Sequence, residues 1–151
     1  VPLLISGPGL RNDGSRSPAL VELVDLAPTI LEWAGLDASP AMQGRSLQTL
    51  LNGNASLDQH RDDIYCEYYN SMPGHKDPPA HATMVRTSRH KLVAAHGTGG
   101  GELYDLETDP NETHNLWNHP DHIAVQLDLL TRLTDRMAWT VDPLPRREAG
   151  F

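Results

Sequence analysis

The sequence predicts an α+β chain: an α/β segment, then a small four-stranded antiparallel sheet, then one long helix. Three observations carry this. A continuous apolar run, Leu3-Leu4-Ile5, is stopped by Gly7-Pro8-Gly9 and followed by a helical pattern. Four short β-favouring stretches come next, joined by Gly, Pro or Ser-Arg connections. Ile123, Leu127, Leu130, Leu133 and Met137 then recur at helical spacing.

In chain order, residues 1–6 are expected as a buried strand and residues 11–17 as a polar surface loop. Residues 19–24 form a second short strand candidate. Asp25 stands where it can cap a helix with Pro28 in its first turn, Ile30, Leu31 and Ala34 on one face, and Gly35 as its stop. Ser46 is the expected cap of a short helix over residues 47–51, ended by Gly53. Strands are expected at 64–69, 82–86, 91–95 and 102–104. The last helix is expected to begin at a cap on Asp121 and to end at Pro143, with Ile123, Leu127, Leu130 and Met137 facing the sheet. This divides the chain into 1–53, a polar linker 54–63, a small domain 64–145 and a tail 146–151.

Composition removes several function classes. The 151 residues carry 20 acidic against 12 basic side chains, which disfavours the concentrated cationic footprint that nucleic-acid binding needs. No apolar stretch approaches the roughly 20 residues that span a bilayer, so no membrane partner is expected. One cysteine, Cys66, excludes an internal disulfide framework and leaves the compartment undetermined. The apolar opening, without a polar lead-in, raises the expectation of further sequence before residue 1.

The most informative phrase runs from Gly101 through Leu103-Tyr104-Asp105-Leu106 and Asp109-Pro110 to Asn115-Leu116, a strand that turns and is then tied down again. It resembles the Leu-Tyr-Asp-Leu, Asp-Pro, Glu, Asn-Leu signature of sulfatases, the sulfuric ester hydrolases of the alkaline phosphatase superfamily. Residues 21–53, with Val24-Asp25-Leu26-Ala27-Pro28-Thr29 and Gln43-Gly44-Arg45-Ser46-Leu47, are similar to the passage that closes the large sulfatase domain. Val85-Arg86-Thr87 with Arg89 and Lys91 resembles the family's hairpin. The resemblance implies that the first third is the end of a large α/β domain and the rest a small C-terminal subdomain. It also implies a parent protein that hydrolyses sulfate monoesters with a formylglycine nucleophile and Ca²⁺, acting on a sulfated small molecule or glycan.

Sulfate-ester hydrolysis needs a nucleophile, a cation for the sulfate oxygens and an acid for the leaving alcohol. The family's nucleophile lies in Cys/Ser-x-Pro-x-Arg. Cys66 is followed by neither the Pro nor the Arg, and Ser71-Met72-Pro73-Gly74-His75 has His where Arg is needed. No catalytic residue, metal ligand or cofactor is therefore expected within the chain, and its partner in the work is the N-terminal portion of the same protein. The chain alone is expected to be inactive. His114, His119 and His122 fit no zinc spacing. The substrate-facing candidates are Tyr69, Asn70, His75, Lys76 and His81, polar and aromatic groups in a loop with proline corners. A phosphoesterase or phosphonate hydrolase of the same superfamily, or a non-catalytic module that binds an anionic glycan, are the competing readings.

Overall fold

The computed structural model describes residues 2–10, 14–54, 56–69 and 81–141. Two compact units lie within residues 1–61 and 62–142.

In the first unit, helix α1 spans Leu26–Trp33 and helix α2 spans Gln48–Leu51. Each closes with the same device. The amides of Gly35 and Leu36 bond back to the carbonyls of Glu32 (3.0 Å) and Leu31 (2.9 Å), and those of Gly53 and Asn54 to Leu50 (3.2 Å) and Thr49 (3.0 Å). This double closure requires a left-handed residue just past the helix, which Gly35 and Gly53 supply at φ of 72°. Thr29 joins the two helices: its hydroxyl donates to the Asp25 carbonyl (2.5 Å) and accepts from the Leu47 amide (2.9 Å). Ser46 accepts from the Gln48 amide at 3.2 Å, next to the helix start it was expected to cap.

Two expected strands are absent from this unit. Residues 2–6 form none and Leu4 is 94% exposed; residues 19–22 form no strand either, and Leu23–Asp25 form a 3-10 turn instead. The physical reason is shared. A strand is held by its neighbour's backbone, and the described residues of this unit contain no strand for either segment to pair with. Asp25 also departs from its expected role. Its carboxylate accepts from the amide of Glu22 (2.8 Å), behind it, and from that of Arg45 (2.7 Å), and it does not cap α1.

The second unit is an antiparallel meander, β1 (Asp63–Tyr69), β2 (His81–Thr87), β3 (His90–Ala95) and β4 (Gly100–Asp105), in the order of the chain. Helix α3, Ile123–Val141, lies on one face. The register places Val85, Leu92 and Leu103 in a row across three strands, and these fully buried side chains meet Leu129 and Leu133 of α3. Burying five such side chains contributes about 1.5–3 kcal/mol each, an upper range before chain entropy is subtracted. The expected helix face is corrected here. Leu129, which the five-residue pattern left out, is buried, whereas Ile123 and Leu127 are exposed at 39% and 59%. Leu127 sits two residues from Leu129, about 200° around the helix, and so points away from the sheet.

The cap of the final helix is also different. A 3-10 turn, Pro120–His122, precedes α3, and the His119 imidazole, not Asp121, accepts the Asp121 amide at 3.3 Å. Asn118 and the buried Gln126 fix the approach by exchanging two bonds: Asn118 N–H to Oε1 (2.7 Å) and Nε2–H to Asn118 Oδ1 (3.0 Å).

The signature phrase forms a tether on the open edge of β4. The Asn115 side chain accepts from the amides of Leu103 (3.0 Å) and Trp117 (2.9 Å) and donates to the Gly101 carbonyl (3.0 Å). The Leu116 amide adds a bond to the Leu103 carbonyl at 2.8 Å. A side-chain amide thus copies a neighbouring strand's backbone and satisfies an otherwise exposed edge. Trp117 then covers Gly101, where a Cβ would stand 2.5 Å from the indole ring. Trp117 packs against the core, while Trp33 lies over Gly7 and stays 42% exposed.

Candidate functional site

Of the five substrate-facing candidates, Tyr69 and His81 are described; Asn70, His75 and Lys76 lie outside the described residues. Tyr69 ends β1 and His81 begins β2, and the register pairs them directly. Their rings meet edge to face at 5.3 Å, a geometry aromatic quadrupoles favour. Both side chains are exposed.

Strand alternation adds residues that sequence reasoning missed. Tyr65, Glu67 and Tyr69 fall on one face of β1, opposite Val85, Thr83 and His81 of β2. The Tyr65 hydroxyl donates to the Glu67 carboxylate at 2.8 Å. Burial first, and then that hydrogen bond, pushes the Tyr65 hydroxyl's pKa well up, so it stays a neutral donor. His96, just past β3, is held to the same end: its amide donates to the His81 carbonyl (2.8 Å) and its ring nitrogen bonds the Thr83 hydroxyl (2.8 Å), which is only 1% exposed. The period-2 pattern of Tyr65, Glu67 and Tyr69 was the available signal. His96 had none, because its position depends on β2–β3 pairing.

Other titratable groups form structural pairs. In the first unit, the fully buried Asp25 carboxylate bonds Arg61, whose other guanidinium nitrogen reaches Glu22 at 2.6 Å. His60 stands 3.6 Å from the same carboxylate, and burial, the largest influence, lowers its pKa despite that neighbour. These groups are enclosed and serve one another. In the second unit, Arg89 grips Asp105 through Nε (3.2 Å) and Nη2 (2.8 Å), and the Arg89 hydrogen bond, ahead of all else, holds the Asp105 carboxyl down at about 2. Lys91 lies opposite Arg86 in the register and pairs with Glu112 at 2.5 Å. Asp109 accepts the amides of Thr113 and His114, both at 2.8 Å, and so shapes the turn after β4.

His119 and His122 stack edge to face at 5.4 Å, and no group of three or more His, Cys, Asp or Glu among the described residues converges as a metal site would require. The described residues therefore do not fit Ca²⁺. Cys66 is exposed on β1.

The sequence matches the family described as N-sulphoglucosamine sulphohydrolase, C-terminal, over residues 1–138. Among curated relatives, mouse arylsulfatase K is 34% identical over 136 residues, covering 85% of this chain and 23% of its own length. Two Bacteroides thetaiotaomicron proteins are each 30% identical: an N-acetylglucosamine-6-O-sulfatase, with 89% of this chain and 24% of its own length covered, and a Delta 4,5-hexuronate-2-O-sulfatase, with 89% and 29%. The chain thus spans about a quarter of the length of these relatives. Of solved structures, a 2-O GAG sulfatase shares the fold at a TM-score of 0.76 and 24% identity, over 91% of this chain and 29% of that one. A phosphonate monoester hydrolase from Silicibacter pomeroyi aligns at 0.58 and 31% identity, over 76% and 23%. With its four-stranded sheet, its covering helix and its Asn115 tether, the chain belongs to the C-terminal family of the sulfatases.

Proposed function

We propose that this chain is the C-terminal portion of a sulfatase that hydrolyses sulfate monoesters, and that it contributes substrate recognition while the chemistry is done by a preceding portion of the same protein. The observation that carries this is the family match over residues 1–138 in a chain about a quarter as long as its relatives. Ca²⁺ and a formylglycine in that portion would neutralise the sulfate oxygens and supply the nucleophile. The large apolar side chains exposed on the first unit, among them Leu4, Leu23, Ile30 and Leu36, fit a surface that the preceding portion covers. Division into an end of the large domain, a linker and a small domain belongs to the same proposal.

Recognition falls to the residues between β1 and β2. Tyr69 and His81 stand at the strand ends, and Asn70, His75 and Lys76 belong to the connecting segment. A sulfated glycan or small molecule is the substrate class, and the name of the N-acetylglucosamine-6-O-sulfatase relative supports the glycan. The test is hydrolysis of an aryl sulfate and an aryl phosphonate by the whole protein and by this chain alone. The whole protein should turn over the sulfate well ahead of the phosphonate, and the chain alone neither. Preference for the phosphonate would move the reading to the phosphonate hydrolases, and turnover of the aryl sulfate by the chain alone would place the nucleophile within it.

A further inference from the structure

We propose that Glu67, framed by Tyr69, His81 and His96, is a specificity residue that receives an amino sugar and rejects the same sugar carrying a second anion. The inference rests on the sulfatase reading above and concerns the sugar next to the scissile ester. All four side chains are exposed and lie on or beside adjacent strands at one end of the sheet. Strands fix positions better than loops do, so the group is preorganised. Its polar atoms are held from behind: Glu67 by the Tyr65 hydroxyl at 2.8 Å, and the His96 ring by the nearly buried Thr83 at 2.8 Å.

The chemistry of the group selects the ligand. Tyr65 has a single proton to give, and it goes to Glu67 Oε2, whereas a carboxylate has about four lone-pair sites. The exposed carboxylate keeps acceptor capacity for a hydroxyl or an ammonium. The Tyr69 ring, held crosswise to His81, is an exposed aromatic surface, and the C–H groups of a pyranose pack on the electron-rich face of such a ring. A carboxylate or sulfate brought to the same place meets like charge, which costs affinity through repulsion alone. The two Bacteroides relatives, one named for an N-acetylglucosamine and one for a hexuronate, are each 30% identical to this chain, so likeness does not decide between such sugars; the charge at Glu67 does.

The test measures kcat/KM of the whole protein on glucosamine 6-sulfate and on the same sugar N-sulfated, with an aryl sulfate as control. The wild type should prefer the free amine. In Glu67→Gln, which keeps size and removes charge, that preference should shrink by about fivefold or more, chiefly through KM, with the aryl sulfate unchanged. Glu67→Asp should retain the preference, and raising the salt concentration should weaken it in the wild type and in Glu67→Asp but not in Glu67→Gln. An unchanged preference in Glu67→Gln, or turnover of the aryl sulfate with neither sugar cleaved, overturns the assignment. Failure of the aryl sulfate as well would overturn the sulfatase reading, and this inference with it.

Discussion

Arg61 shows how a single side chain organises the first unit. It is 6% exposed and reaches two carboxylates, Glu22 and the fully buried Asp25. Removing it leaves Asp25 with a backbone amide on each oxygen but an uncompensated charge. Arg61→Ala should therefore destabilise the chain by about 3–5 kcal/mol, measured by chemical denaturation, because one partner of a buried pair is lost and the other stays charged. Asp105 makes a pH prediction. Arg89 depresses its folded pKa to about 2, below the roughly 3.9 of an unfolded aspartate. Its contribution is thus fully present above pH ~4 and is lost as pH falls toward 2. The melting temperature should drop over that window, and Asp105→Asn should flatten the drop while lowering stability at neutral pH. An equally steep drop in the variant would mean that other carboxylates govern acid unfolding.

Among the elements, those whose partners are local in sequence were legible and those whose partners are distant were not. The meander's four strands match expectation to within a residue or two, because each pairs with the next along the chain. The stops at Gly35 and Gly53 were likewise visible, since the closing bonds span only five residues. Helix α3 was placed correctly but turned. Apolar residues occur all around it, and only contact with Val85, Leu92 and Leu103 decides that Leu129 and Leu133 face inward. The Asp25 interactions with Arg45 and Arg61 cross 20 and 36 residues and left no local trace. Tyr69 and His81 were singled out as polar and aromatic groups of a loop with proline corners, while His96 comes beside them only through β3 and left no local trace. Leu129→Ala should cost about 2–4 kcal/mol against less than about 0.5 for Leu127→Ala, as read by urea denaturation. Equal costs would reverse the face assigned to α3.

For the whole molecule, the proposed function assigns recognition to this chain and bond cleavage to a preceding portion of the same protein. The described residues of the chain bring together aromatic, imidazole and carboxylate groups at one end of the sheet, and no convergent metal-binding set. Contacts made equally in the ground and transition states act on KM, whereas loss of a nucleophile or of the acid for the leaving alcohol acts on kcat. The most direct measurement is therefore steady-state kinetics of the whole protein carrying His81→Ala, on a sulfated glucosamine and on a small aryl sulfate. We expect KM for the sugar to rise several-fold with kcat nearly unchanged, and both constants for the aryl sulfate to stay as they are. An equal collapse of kcat on the two substrates would contradict the account, because it would make His81 the acid that protonates the leaving alcohol and put part of the chemistry in this chain.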